Sequence, residues 1–195
     1  MLLSDSTHFV NGRSMTENYP DGSEQMMVGM GCFWGVERIF WQIPGVYVTS
    51  VGYSGGQTSD PDYKKICTGS TGHAEVVHIV FDPKIVSYDD LLKVMFETHD
   101  PTQGNRQGND VGTQYRSAVF HYNENQRDKA LAAREVYNAA YVAKGYGPIT
   151  TEISPAADYY FAEDYHQQYL AKNPGGYCNI GPTGVSCPVP TKVSV

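Results

Sequence analysis

Apolar residues in the first part of the chain form short patterned runs separated by turn residues. An apolar run over residues 26–30 predicts a buried strand that ends at Gly31. Apolar positions at helical spacing predict a helix over residues 33–42, stopped by Pro44 and Gly45. Residues 46–53 alternate and are β-branched, which predicts a second strand.

Apolar periodicity also predicts strands and helices in the rest of the chain. It predicts strands over 73–81, 114–122 and 150–153, the last at a sheet edge, and helices over 88–99, 124–143 and 164–171. The order strand, helix, strand, strand, helix, strand predicts an α+β fold, a ferredoxin-like two-layer sandwich with its helices on one face. After residue 172 glycine and proline dominate, which predicts a long irregular C-terminal coil.

The chain has 195 residues, enough for one well-buried domain and few for two. Residues 1–24 are polar and aperiodic, which indicates a flexible N-terminal arm. We therefore expect an arm over 1–24, a catalytic α+β domain over 25–172 and a coil over 173–195. We also expect a monomer.

Charge and cysteine usage limit the classes of partner and compartment. The net charge of −7 argues against nucleic acid or an anionic membrane as a partner. No apolar run approaches the roughly 20 residues that span a bilayer, and the first residues do not resemble a signal peptide. Four cysteines are too few for a disulfide scaffold, so we expect a cytoplasmic protein in which any disulfide is transient.

Cys32 stands where the first predicted helix begins, beside Phe33 and Trp34. A helix N-terminus stabilises a thiolate by up to about 2 kcal/mol, which brings the pKa of a cysteine to about neutrality and no lower. A reactive Cys32 would therefore need a second group to assist it. The alternative, a buried and inert cysteine, is equally compatible with the sequence.

Glu75 lies early in the strand predicted over 73–81, next to His73. A buried carboxyl group there would stay protonated and could donate a proton near neutral pH. An edge-strand glutamate facing solvent is the alternative. His73 and His78 are five residues apart and fall on opposite strand faces, so we predict no shared metal site and treat each as an ordinary polar strand residue.

A polar loop over residues 99–117 contains Asp110 and ends near Tyr115. Its amide side chains favour a hydrogen-bonding rim around a pocket over a solvated connection. Tyr63 could add a second phenol to that rim, although either tyrosine could equally serve in packing.

Two cysteines, Cys178 and Cys187, lie nine positions apart in the Gly- and Pro-rich tail. This spacing is typical neither of a zinc ribbon nor of a redox Cys-x-x-Cys motif. A flexible loop of this length closes at a small entropic cost, so the pair could form a disulfide, and either could reach Cys32. They could also be unrelated thiols.

Taken together, these segments resemble the A-type peptide methionine sulfoxide reductases. The matching motifs are Gly-Cys-Phe-Trp-Gly-Val-Glu at 31–37, Gly-Tyr-Ser-Gly-Gly at 52–56, Thr-Gly-His-Ala-Glu at 71–75, Gln-Tyr-Arg-Ser at 114–117, Tyr-His-Gln-Gln-Tyr-Leu at 165–170 and Gly-Tyr-Cys at 176–178. The resemblance covers about residues 27–188.

The resemblance implies a role for each candidate residue in the reduction of the S epimer of methionine sulfoxide, free or in proteins. Cys32 is the expected nucleophile, and Phe33 and Trp34 receive the substrate methyl group. The sulfoxide oxygen is expected to bind Glu75, as proton donor, together with the residues Tyr63 and Tyr115, with Asp110 in the same rim.

The resemblance also implies how the enzyme is recycled. Cys32 becomes a sulfenic acid, Cys178 attacks it, and Cys187 then forms a Cys178–Cys187 disulfide that thioredoxin reduces. No cofactor and no metal are expected, with thioredoxin as the external reductant. Cys67 has no role in this scheme and is expected to be a buried spectator. Where the family often has Asn-Pro-Thr-Tyr, this chain has Asp-Pro-Asp-Tyr at 60–63.

Two other classes of protein compete with this interpretation. A cysteine hydrolase or acyltransferase would use Cys32 as nucleophile and His73 or His166 as base, and would not need the tail cysteines. A binding module would capture oxidised or zinc-loaded partners through its tail thiols, and the aromatic residues around Cys32 would then be packing.

Overall fold

The computed structural model describes residues 3–186, which form a mixed α/β fold and confirm the predicted class. The strands are β1 (Glu24–Met30), β2 (Val46–Ser54), β3 (Ala74–Phe81), β4 (Arg106–Gln107), β5 (Asp110–Val111), β6 (Ser117–His121), β7 (Glu152–Pro155) and β8 (Tyr160–Phe161). The helices are α1 (Phe33–Trp41), α2 (Tyr63–Cys67), α3 (Tyr88–Thr98), α4 (Glu124–Ala143) and α5 (Tyr169–Lys172). Within the described part of the chain, every helix is too short or too polar to cross a membrane.

The main sheet has six strands in the order β7-β6-β1-β3-β2-β8. Its four central strands are antiparallel, and β7 adds in parallel to β6 at one edge. These four strands, with α1 and α3, follow the predicted strand and helix order along the chain. Strands β4 and β5 form a separate two-stranded hairpin.

Alternating side chains of the strands divide the core into two layers. Met26, Val28 and Met30 of β1 pack into the larger cluster beneath α1, α3 and α4. Met27, on the opposite face, packs in a smaller cluster with Val76. The helices therefore cover one face of the sheet, and the side chain of Glu75 shares that face because it alternates in step with Val77, Ile79 and Phe81 of β3.

The N-terminal segment has more contacts with the domain than the predicted loose arm would make. Met15 is buried against Val48 and Val80 on the face of the sheet that the helices leave uncovered. His8 is also buried, and its Nε2 lies 3.1 Å from Oγ1 of Thr49. Met15 is an isolated apolar residue in a polar segment, so periodicity gave no sign of this packing.

Two predicted elements differ from the structure, and short strands β4, β5 and β8 were not predicted. Gln114 belongs to a 3₁₀ turn (Thr113–Tyr115), so β6 begins only at Ser117. The helix predicted over 164–171 is wrong for its first half, because Gln168 adopts a left-handed conformation with φ 48° and α5 starts after it. The backbone N–H of Gln168 donates to Glu37 at 2.8 Å, which is incompatible with a regular helix there.

Candidate active site

Cys32 occupies the N-cap position of α1, without a side-chain capping hydrogen bond, and is half-buried. The chain passes from β1 into α1 through Gly31, which has φ +95°, and a Cβ atom at Gly31 would lie 2.6 Å from the side chain of Gln107. Glycine is therefore required at the turn that presents Cys32. This position matches the helix start predicted from sequence.

A cavity of about 140 Å³ opens beside Cys32. Its lining consists of Cys32, Phe33, Trp34, Tyr63, Glu75, Asp110, Tyr115 and Tyr177. The structure thus brings together all the predicted substrate-site residues from four separate parts of the chain. Tyr177 is an addition that the sequence did not indicate.

Glu75 is buried beneath the first turn of α1, with 2% of its surface exposed. Its Oε2 accepts a hydrogen bond from the backbone N–H of Phe33 at 3.1 Å, and no cation pairs with it among the described residues. Burial raises the pKa of Glu75 to about 8, the Phe33 N–H opposes this, and the charge of Asp110 adds to it. Glu75 therefore holds a proton at neutral pH, and the alternative of a solvent-facing glutamate is wrong.

Cys32 differs from the sequence-based expectation in its acidity. Burial raises the pKa of Cys32 well above its usual range, and a charged Glu75 raises it further, while the backbone N–H of Trp34 lowers it. The expectation that the helix N-terminus brings this pKa to neutrality is wrong, because desolvation of the thiolate outweighs the dipole. Protonation of Glu75 removes one of the opposing charges, so the two groups titrate as a coupled pair.

Two phenols complete the polar side of the cavity. Burial raises the pKa of Tyr63 and of Tyr115 above the usual range, so both keep their O–H donors at neutral pH. Tyr63 is the first residue of α2, and its backbone N–H donates to Oε1 of Glu163 at 2.9 Å. Glu163 also accepts from the hydroxyl of Tyr53 at 3.0 Å, which fixes the start of α2 to the sheet.

The apolar wall of the cavity depends on Trp34. Its ring stacks on Tyr169, with centroids 3.8 Å apart and an interplanar angle of 16°. Its Nε1 donates to Nδ1 of His166 at 2.9 Å. Phe33 is buried and packs against the same histidine, so residues 166–169 set the position of this wall.

Neither histidine proposed as a base is free to act on Cys32. Nδ1 of His166 accepts the Trp34 hydrogen bond, and burial lowers the pKa of His166 to about 4. His73 accepts from the backbone N–H of Gly56 and contacts the carbonyl oxygen of Thr58 at 2.8 Å. The hydrolase alternative therefore has neither of its two proposed bases available. No group of metal-ligating side chains large enough to hold an ion occurs within residues 3–186.

The described part of the tail, residues 173–186, is irregular but docked on the domain. Asp110 accepts hydrogen bonds from the neighbours of Cys178, namely Asn179 at 2.7 Å and the hydroxyl of Tyr177 at 3.2 Å. Val185 is buried in the main core. Cys187 lies outside the described residues.

Cys67 is exposed, so the prediction of a buried cysteine is wrong. Helix α2 has only five residues and buries Ile66 alone, which leaves Cys67 on its outer side.

Sequence reasoning assigned no role to several residues that support the site. Glu163 binds the backbone of Tyr63, Tyr169 stacks on Trp34, and Asn179 fixes the tail to Asp110. Tyr169 lies in a motif that carried the family resemblance, but the pattern gave no sign of which side chain it contacts.

The comparisons with known proteins agree with the class that the fold and site define. Residues 24–187 match the family described as Peptide methionine sulfoxide reductase, and the chain belongs to that family. It is 60% identical over 189 residues to peptide methionine sulfoxide reductase MsrA of Brucella anthropi, covering 97% of this chain and 87% of the relative. It is 61% identical over 188 residues to MsrA 1 of Synechocystis sp., covering 96% and 85%.

The structure is similar to methionine sulfoxide reductase A of Corynebacterium diphtheriae, with a TM-score of 0.85, 47% identity and coverage of 97% and 92% of the two chains. These findings confirm the predicted A type and the predicted enzyme class, a methionine sulfoxide reductase.

Proposed function

We propose that this enzyme reduces the S epimer of methionine sulfoxide, free or in proteins, through a sulfenic acid on Cys32. The Cys32 sulfur attacks the sulfoxide sulfur while Glu75 donates its proton to the sulfoxide oxygen, and the carboxylate of Glu75 takes up the proton that the Cys32 thiol loses. The oxygen passes to Cys32 and methionine is released. The observation that carries the proposal is a buried Glu75, without an ion-pair partner among the described residues, in the same small cavity as Cys32.

The cavity offers each part of the substrate a chemically matched surface. Phe33 and Trp34 provide an apolar wall for the methyl group. The hydroxyls of Tyr63 and Tyr115 can donate to the sulfoxide oxygen, since both phenols are protonated at neutral pH. Asp110 lines the rim and binds the tail. No cofactor takes part in these steps.

We further propose that Cys178 resolves the sulfenic acid and that Cys187 then takes over the disulfide. Docking of Tyr177 and Asn179 on Asp110 supports the first step, because it holds Cys178 beside α1. Thioredoxin is the proposed reductant. A related protein, yeast Mxr1, has been crystallised in complex with Trx2. We expect a cytoplasmic monomer.

The proposal is tested by mapping disulfides after one equivalent of methionine sulfoxide is added without reductant. We expect about one methionine per chain, a Cys32–Cys178 or Cys178–Cys187 disulfide, and a reduced Cys67. The same assay with separated epimers should consume only the S form. Cys67→Ser is the matched control and should behave as the wild type, whereas methionine production by Cys32→Ser would disprove the proposal.

A further inference from the structure

Arg38, in the last turn of α1, contacts the sulfur of Cys178. Its Nη2 lies 3.1 Å from Sγ of Cys178, although the two residues are 140 positions apart in sequence. The same sulfur lies over Gly35, where a Cβ atom would come within 2.9 Å of it. Cys32 and Gly35 are three residues apart, so they share a face of the helix. The thiol therefore rests about one helical turn from Cys32.

Within residues 3–186, no carboxylate forms an ion pair with the guanidinium of Arg38. The ion pairs among residues 3–186 are formed by other basic residues. The side chain of Arg38 instead donates a hydrogen bond to Sγ of Cys178. Arg38 is also only partly exposed, so water screens its charge less than at a fully exposed site. A guanidinium that donates to a cysteine sulfur holds it in place and stabilises the negative charge that develops on it as it attacks.

We propose that Arg38 is a further catalytic residue, which activates Cys178 for attack on the oxidised Cys32. This inference rests on the proposed function, in which Cys178 resolves a sulfenic acid. Arg38 does not line the substrate cavity, so it takes no part in the reduction of the sulfoxide itself.

The step balances as a thiol–sulfenic acid condensation. The Cys178 thiol loses its proton, and its sulfur attacks the Cys32 sulfur, forming the S–S bond. The S–O bond of the sulfenic acid breaks, and the departing hydroxide takes up one proton to leave as water. Cys178 is oxidised and Cys32 is reduced, so no further oxidant or reductant is needed.

Arg38→Gln tests this role because it keeps much of the side chain and removes the charge. Single-turnover mixing with methionine sulfoxide measures methionine formation, and trapping with dimedone measures how long the sulfenic acid survives. We expect methionine formation to stay within about twofold of wild type. The decay of the sulfenic acid should slow about 10- to 100-fold, the usual worth of a hydrogen bond to a charged group. Arg38→Lys should recover part of the rate.

Arg127→Gln is the matched control, since Arg127 is an exposed arginine of α4 that pairs with Glu124 and lies away from the cysteines. Wild-type decay of the sulfenic acid in Arg38→Gln, or equal slowing of both steps, would overturn the role of Arg38. Absence of a sulfenic acid in Cys178→Ser, which lacks the resolving thiol, would instead contradict the proposed function. Thermal unfolding of each variant separates these outcomes from misfolding, and Arg38→Lys keeps the test informative if Arg38→Gln does not fold.

Discussion

Glu37, within α1, and Glu75, beneath its first turn, are both buried carboxyl groups, but they accept different numbers of hydrogen bonds. Glu37 has none of its surface exposed and accepts three hydrogen bonds, from Thr49 at 3.0 Å and from the side chain and backbone of Gln168 at 2.7 and 2.8 Å. Glu75 accepts one within the described residues, from Phe33, and borders the cavity.

Burial raises the pKa of both groups, to about 7 for Glu37 and about 8 for Glu75. The pKa alone therefore does not distinguish their roles. Glu37 is enclosed by donors and holds Gln168, whose neighbours His166 and Tyr169 position Trp34. Glu75 keeps hydrogen-bonding capacity free for a substrate. The comparison indicates that an incompletely satisfied buried carboxyl group beside a cavity serves chemistry, and a fully satisfied one serves structure.

The largest expected effect is on catalysis at Glu75. Glu75→Gln keeps the shape of the side chain and removes the acidic proton, so the first turnover should slow by about 10²- to 10⁴-fold, the usual contribution of a positioned general acid. Quenched single-turnover formation of methionine measures this. The free energy of unfolding should not fall, because no buried charge loses a partner. An unaltered rate would remove Glu75 from the mechanism.

A smaller effect, on stability, is expected at Glu37. Glu37→Ala leaves the donors of Thr49 and Gln168 unsatisfied in the core, which should lower the free energy of unfolding by about 3 kcal/mol. Urea denaturation measures this loss. The chemistry at saturating substrate should persist, while KM rises because Trp34 loses its support. Glu37→Asp is the control that keeps the charge. Wild-type stability and KM in Glu37→Ala would show that Glu37 does not have the structural role that separates it from Glu75.

The smallest expected effect is on the pH dependence of stability. The folded pKa of both glutamates is above the ordinary value of 4.5, so the folded protein binds more protons than the unfolded chain between that value and about 8. Stability therefore falls as pH rises through this window. The buried histidines His8, His78, His99 and His166, whose pKa is lowered to about 4, act in the opposite direction, but only below their ordinary value of 6.5.

Between about pH 6.5 and about pH 8 the glutamates thus dominate. Glu75 should reduce the free energy of unfolding by about 2 kcal/mol over this range. Chemical denaturation at several pH values, comparing wild type with Glu75→Gln, measures this difference. The variant should show a shallower decline, and parallel curves for the two proteins would show that Glu75 is already ionised at neutral pH.

Local patterns in the sequence determined much of the fold. Helices α1, α3 and α4 and strands β1, β2 and β3 were predicted close to their observed bounds, because their periodicity is a property of consecutive residues. Short elements such as β4 and β8 have two residues each and cannot show a period. Gln168 interrupts a predicted helix because of a hydrogen bond to Glu37, which is 131 positions away.

For the candidate site, the sequence by itself determined which residue types were available, that Cys32 begins a helix and that Glu75 lies in a strand. Only the tertiary structure decided their chemistry. Desolvation reversed the expected effect on the pKa of Cys32 and kept Glu75 protonated, and the docked tail placed Cys178 beside Arg38. The physical reason is that a helix or strand depends on neighbouring residues, whereas burial, charge and hydrogen-bond partners depend on segments that meet only after folding.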